Sequence, residues 1–455
     1  MPDPLELPAG AAVQIGDVQS WSGGGVSASW QRRWLSDFST TATVARSRFT
    51  SDRAQSFNLT SSSGGDLNGA FGRGGSDALT EHNESEDTTV RITAALGIGF
   101  NHAIEAGVES SSLDTVYDAR TDASASLTTL LAHSGTGTLW SAFAQDVWRP
   151  MAALTVSPGL RITRDGAAEV SYADPRVTAS YAAAPGVVLR GGWSSDHQSV
   201  SRVVREDREH GDGAFWTLAD GTAVPVARSQ EASAGLSAQA RGILFDAHVY
   251  YRTLDDLTMF APRLLPGVPL PAAGAGLHYG SGTAAGAEFL IQHHVSRNTL
   301  WTAYTAGRTE YTFPTLETAT FPASFDRLHQ FKVVDSTRVR GGWSVTGAWR
   351  VASGKAYTPS TKSQQVWFAT GATAYEPLFG AKNSSRLPPY HQLDISSQFT
   401  HRTGPLTLAA GATVFNVYDR QNVAYYDYEA AGTTLLTSQM LLTRRAGNVF
   451  FRVSF

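Results

Sequence analysis

Cysteine is absent from the 455 residues, which excludes disulfides, thiolate metal sites and cysteine nucleophiles. Charge is scarce: Asp, Glu, Lys and Arg make up 17% of the chain, against about a quarter in soluble domains. Neither sign dominates. The 36 Lys+Arg face 40 Asp+Glu for a net charge of −4, and that balance excludes a generally basic nucleic-acid binder. No apolar run approaches about 18 residues, so a helical membrane protein is excluded. A membrane β-barrel is not, because its apolar residues are interleaved with polar ones. The first ten residues, MPDPLELPAG, hold two acids, three prolines and no base. A secretory signal needs a basic start and an apolar stretch. This start fits either a protein that is not exported or an internal piece of a longer chain.

What is present is a period of two. Val90, Ile92, Ala94, Leu96, Ile98 and Phe100 alternate with Arg91, Thr93, Ala95, Gly97 and Gly99. After a turn at Asn101-His102, Ile104, Ala106 and Val108 alternate with Glu105, Gly107 and Glu109. Such a pair reads as a hairpin. The pattern recurs near 155–163, 245–252, 343–351 and 392–399, and no amphipathic helix stands out. The connections alternate too. Short turns fall near 35–36, 101–102, 150–152, 186, 242, 296–298, 340–341 and 402–404. Long polar loops fall near 51–86, 114–136, 203–229, 257–283, 314–325, 354–389 and 419–445. Short turns at one end and long loops at the other are the plan of an outer-membrane barrel. The expected fold is all-β, a transmembrane antiparallel up-and-down barrel of about 18 strands, ±2, with residues 1–455 as one domain. A first strand near 11–20 would put both chain ends on the periplasmic side. A soluble propeller should repeat a motif every ~40–50 residues, and none is visible.

The last strand reads AGNVFFRVSF, with Val449, Phe451, Val453 and Phe455 on one face. A terminal Phe in such a strand resembles the assembly signal of bacterial outer-membrane proteins, which makes Phe451 and Phe455 its candidate residues. Trp30, Trp34, Trp140, Trp148, Trp301, Tyr357, Tyr390 and Tyr418 sit near strand ends, where amphipathic rings suit the headgroup level.

Several segments, in order over residues 140–455, resemble the barrel of TonB-dependent outer-membrane receptors. They are WSAFAQDVWRP (140–150) with LTVSPGLR (154–161), DPRVTASY (174–181), DRLHQ (326–330), GW (342–343) through SGKAYTP (353–359), RLPPYHQLD (386–394) and FNVYDRQNV (415–423). The resemblance implies TonB-energised uptake of a scarce ligand, siderophore-like or another small nutrient. It implies as partners outer-membrane lipid, the barrel-assembly machinery and the TonB complex. The family also carries a signal peptide and an N-terminal plug, and neither is readable here. Barrels of this class have 22 strands around a plugged lumen, so the chain would begin roughly four strands late by this count. The other reading is a passive, plug-free pore. A monomer is the default.

Candidate site residues follow. Arg91, Glu105, Glu109, Arg161, Arg190, Asp246, Arg252, Glu288, Arg350 and Asp394 fall on polar strand faces, which in a barrel means the lumen. For any one of them a solvated, salt-bridged wall is the simpler role. Trp216, Tyr357, Trp367 and Tyr375 lie in long loops and could meet a ligand, or pack on each other as a lid. His293-His294 point to opposite faces of a strand, so no metal site is expected. No cofactor is expected either. No phosphate loop, HExxH pair or nucleophile elbow is present, so the chain is not expected to be an enzyme.

Overall fold

The computed structural model describes residues 11–61, 77–123, 126–205, 213–261, 276–367 and 373–455. Strands dominate because alternating residues leave two usable faces and a continuous backbone ladder. In chain order they are β1 (Ala11–Arg33), β2 (Phe38–Ser61), β3 (Asp77–Ile98), β4 (His102–Ala123), β5 (Ser126–Met151), β6 (Leu154–Asp165), β7 (Val170–Ala184) and β8 (Val187–Gln198). A hairpin follows, β9 (Val200–Arg205) and β10 (Gly213–Leu218). Next come β11 (Ala227–Ala240), β12 (Ile243–Phe260), β13 (Leu277–Val295), β14 (Asn298–Thr312), the short β15 (Phe321–Pro322), β16 (His329–Arg338) and β17 (Trp343–Ala352). Four short loop strands follow: β18 (Ala356–Tyr357), β19 (Ser360–Trp367), β20 (Thr373–Phe379) and β21 (Ser385–Arg386). The chain ends with β22 (Tyr390–Thr403), β23 (Leu406–Phe415), the hairpin β24 (Val423–Ala431) and β25 (Thr434–Leu441), and β26 (Ala446–Ser454).

The main sheet contains 20 strands. Three of them, β9, β10 and β15, belong to loops, which leaves 17 in one antiparallel meander among the described residues. All eight expected short turns are found. Gly186 shows why one of them is tight: its φ is +76°, and a Cβ there would stand 2.4 Å from the Gln239 carbonyl oxygen.

The sheet is inside-out relative to a soluble protein. Val44, Ile92, Val108, Trp140, Ile162, Val249 and Tyr251 are each more than half exposed on one face. Register sets Val44 opposite Val90 across β2 and β3, and Ile92 opposite Val108 across β3 and β4. A contiguous exposed apolar face of this kind marks a membrane or partner surface. The opposite face holds the charges. Among the described residues, buried apolar side chains gather in small clusters. One contains Tyr117, Ala119, Leu131, Val203, Phe215 and Phe260. Another contains Met259, Phe313 and Phe321.

Three expectations are corrected. Much of the loops expected at 51–86 and 114–136 is strand: β2 runs to Ser61, β3 starts at Asp77, and β4 and β5 pair as far as Ala123 and Ser126. Above the apolar belt nothing demands apolar residues on the outer face, so alternation fades while the backbone ladder continues. The first strand exists, but it runs toward the short-turn end. Ala11 therefore lies at the long-loop end and Ser454 at the short-turn end. The edge strands β1 and β26 run the same way, so a direct pair between them would be parallel. Not all strand-end aromatics face outward, either. Trp301 pairs in register with Gln292 and Val334, and Tyr390 with Ala352, on the polar face. Tyr357 sits in the loop strand β18.

The two faces make opposite predictions for a single charge. Val108→Lys, on the apolar face, should destabilise the protein in lipid vesicles by about 2 kcal/mol or more. Thr93→Lys, on the polar face, should change stability by no more than about 0.5 kcal/mol. Urea unfolding in vesicles measures both.

Candidate functional site

The polar face is organised by charge pairs. All ten charged residues singled out from the sequence lie on it. Glu109, nearly buried, ties two arginines: Arg91 Nε donates to it at 2.5 Å and Arg161 Nη2 at 2.5 Å. Arg161 also donates to Ser141 Oγ at 2.9 Å. Glu105 accepts from Gln145 at 3.4 Å, and Gln145 in turn accepts from Arg176. Arg190 pairs with Asp246. Arg252 Nε donates to Glu231 at 2.9 Å. Glu288 stands opposite His248 in the β12–β13 register. Arg350 lies 3.6 Å from Asp394.

The Glu109 group forms one side of a cavity of about 510 Å³ in front of β3–β8. Its far side is an aromatic–acid group. His197 Nδ1 is 2.6 Å from Asp174 Oδ1, the imidazole stacks on Tyr172 with centroids 4.4 Å apart, and the Tyr172 hydroxyl meets Ser199 Oγ at 2.8 Å. Gln198, Ser199 and Val200, where β8 passes into β9, close the cavity on that side.

Above this cavity the β9–β10 hairpin folds against the polar face of β3–β5. Asn83 brackets the Trp216 backbone: its Nδ2 donates to the carbonyl at 2.8 Å, and its Oδ1 accepts the N–H at 2.8 Å. Thr115 Oγ1 accepts the Leu218 N–H at 2.9 Å. Phe215 stacks flat on Tyr117, centroids 3.6 Å apart. The buried Arg205 Nε donates to Glu81 at 2.8 Å, and the Tyr117 hydroxyl donates to the same carboxylate at 2.6 Å. Burial, with the Glu81 charge beside it, pushes the Tyr117 hydroxyl well above its ordinary pKa. Next to this group Arg53 forks onto Asp17 at 2.9 and 2.7 Å, and Tyr425 of β24 donates to Asp17 at 3.3 Å. Burial acts to raise Asp17, but the bonds and charge of Arg53 outweigh it and hold the carboxyl below its usual value. Burial and the Asp17 charge push Tyr425 up to about 12.

The sequence reading left 203–229 as loop and so missed the hairpin and its anchors Glu81, Asn83, Tyr117 and Arg205. A signal was present, because Tyr117 continues the odd-numbered polar face of Glu105 and Glu109. Trp216 lies in this hairpin, with its backbone pinned by Asn83. Tyr357 is in β18, its ring 5.1 Å from that of Tyr426. Tyr375 is in β20, paired with Gln365. Trp367 ends β19, and its side chain lies outside the described residues. Among the described residues no ring contact joins Trp216 to Tyr357 or Tyr375.

The motif residues converge on a clamp at the rim. Asp326 of DRLHQ, almost fully buried, accepts from Arg386 of RLPPYHQLD at 2.5 Å and from the Thr309 N–H at 2.7 Å. Arg386 also donates to the Gly354 carbonyl at 3.2 Å. A Cβ on Gly354 would stand 1.6 Å from the Leu387 carbonyl oxygen, so only glycine fits. Asp394 accepts the Asn416 N–H at 2.9 Å. Asn416, at φ 51°, exchanges two 2.9 Å bonds with the Arg420 backbone. These residues fix where the long loops leave the wall. Among the described residues no group of three or more His, Asp or Glu is placed to hold a metal ion.

The hairpin's docking can be tested directly. Phe215→Ala removes the ring on Tyr117 and should cost about 3–5 kcal/mol of local stability. Faster hydrogen exchange should then be confined to residues 200–218 and the facing part of β4, with the lower wall unchanged.

A family model described as "TonB dependent receptor-like, beta-barrel" matches residues 8–417. No curated protein matches the sequence significantly. Among solved structures, the ferric-catecholate import receptor Fiu of E. coli K12, in its closed form, is similar with a TM-score of 0.59 at 11% identity. The match covers 95% of this chain and 65% of Fiu, so the chain spans just under two thirds of that receptor. The ferric yersiniabactin uptake receptor FyuA of Yersinia pestis has a TM-score of 0.59 at 12% identity, covering 98% of this chain and 71% of FyuA. The copper transporter OprC has a TM-score of 0.54 at 11% identity, covering 97% and 76%. At such identities these likenesses speak for the fold, while the family model spans most of the chain. The chain belongs to the TonB-dependent receptor family, transporters rather than enzymes, whose β-barrel lies in the Gram-negative outer membrane.

Proposed function

We propose that residues 1–455 are the barrel domain of a receptor that takes up a scarce small ligand across the outer membrane. TonB would energise uptake through a plug lying outside these residues. The family match over residues 8–417 carries this reading. The ligand would be a siderophore-like chelate or another small nutrient, since similar structures include ferric-siderophore receptors and a copper transporter.

In this reading the polar face is the lumen wall. Most of its charges are bound to one another, which suits a rigid, hydrated wall. Arg91, Glu105 and Arg161 line the cavity beneath the β9–β10 hairpin, and Glu109 ties the two arginines together behind it. Arg190, Asp246, Arg252, Glu288, Arg350 and Asp394 line the remainder. The loop aromatics Trp216, Tyr357, Trp367 and Tyr375 are the proposed first contacts for the ligand. Phe451 and Phe455 are the proposed assembly signal, read by the barrel-assembly machinery, and the protein works as a monomer.

The test is uptake of labelled ferric siderophores and copper complexes by cells producing the full-length gene product, with and without TonB. At least one compound should accumulate only when TonB is present. Uptake that is equal without TonB, with steady ion conductance in planar bilayers, would overturn the reading in favour of a passive pore.

A further inference from the structure

The short-turn end of the wall is basic, and its bases are all of one kind. Six of the eight short turns carry an exposed arginine within three residues of the connection: Arg32, Arg149, Arg241, Arg297, Arg340 and Arg402. No lysine lies that close to any of the eight, and Asp37 is the one acid. The bias is local, because the whole chain holds 36 Lys+Arg against 40 Asp+Glu. On the polar face arginines tie acids, as Arg190 ties Asp246 and Arg252 ties Glu231. Among the described residues none of the six turn arginines is in an ion pair.

Arg32 shows where such a side chain can lie. Register sets it opposite Thr40, on the same face as Val44. That is the apolar face. The Arg32 guanidinium carbon stands over the Trp34 ring, 3.9 Å from its centroid. Trp34 Nε1 donates to Thr40 Oγ1 at 2.8 Å, which fixes the half-exposed indole on that face. An indole in this position marks the headgroup level. The guanidinium resting on it meets no acid of the protein, so its N–H edge is open. A phosphate is the anion found at that depth, and the planar fork of arginine matches it better than a lysine ammonium does.

We propose that the arginine-bearing turns form a collar that binds the phosphate groups of phospholipids in the periplasmic leaflet, with Arg32 on Trp34 as its best-defined site. Short turns of outer-membrane barrels lie on the periplasmic side. Bases beside a membrane are drawn to anionic headgroups. The six arginines are spread from the β1–β2 turn to the β22–β23 turn, so they follow the wall as the surrounding shell of lipid does. A single periplasmic protein would need them gathered in one patch. The collar needs only the family's place in the outer membrane and is independent of what the receptor takes up.

Native mass spectrometry of the full-length protein tests this. The purified protein in mild detergent is offered equal amounts of phosphatidylglycerol and of digalactosyl diacylglycerol, which has no phosphate. The wild type should retain phosphatidylglycerol several-fold in preference. Replacing all six arginines by Gln should abolish that preference. Arg32→Gln alone should release the most tightly held lipid, and Arg32→Lys should weaken it less. If the six-fold variant does not fold, Arg241→Gln, Arg297→Gln and Arg340→Gln together, all in exposed turns, should lower the preference in part. The collar is ruled out if the wild type retains both lipids equally or if the arginine-free variants keep the preference. It is also ruled out if the preference is lost instead with Arg46→Gln and Arg48→Gln, which pair with Glu86 and Glu84 toward the long-loop end of β2.

Discussion

Every backbone N–H and C=O inside hydrocarbon must find its partner within the protein, because lipid offers none. That constraint explains the fold. It requires long, continuously paired strands, and the meander from β1 to β26 supplies them. It also turns the usual distribution of residues around. The apolar side chains go to the outer face, and the polar face becomes the interior. The low charge content and the lack of any long apolar run follow from the same arrangement, since each strand needs apolar residues at only every second position.

The interior then has its own problem. Charges brought onto one face of a wall must be compensated, and the structure does this mostly by pairing across strands. Glu109 between Arg91 and Arg161 and Asp246 with Arg190 tie neighbouring or nearby strands together. The same device carries the long loops. Asp326 with Arg386 holds the 354–389 loop at its base, and Glu81 with Arg205 holds the β9–β10 hairpin against the wall. Buried pairs of this kind are costly to break, by about 3–5 kcal/mol when one partner is removed. They therefore act as fixed points for the loops they hold.

Much of this was legible in the sequence. The apolar face of β3 and β4, the eight short turns, the strand number and the polar placement of residues such as Arg161 and Asp246 all follow from a period of two. The family motifs were legible as a resemblance, but their work was not. Nothing in the spacing of Asp326, Gly354 and Arg386 says that they meet, because their contact is made by the return of a loop. Trp301 was read as an interfacial ring because its strand end suits one, whereas register turns it inward onto Lys332. The upper halves of β2–β5 were read as loops because alternation fades where lipid ends, although backbone pairing does not.

The central claim is that adjacent residues of one strand face lipid and water in turn. The chain's lack of cysteine makes a direct measurement clean: single cysteines at each position from Ile104 to Ser111, spin-labelled in the purified protein in lipid vesicles. Accessibility to oxygen should peak at Ile104, Ala106 and Val108, and accessibility to a water-soluble nickel chelate at Glu105, Gly107 and Glu109, with a period of two. Equal access to the nickel chelate at both sets of positions would contradict the account, because it would mean that the apolar face of this wall is in water.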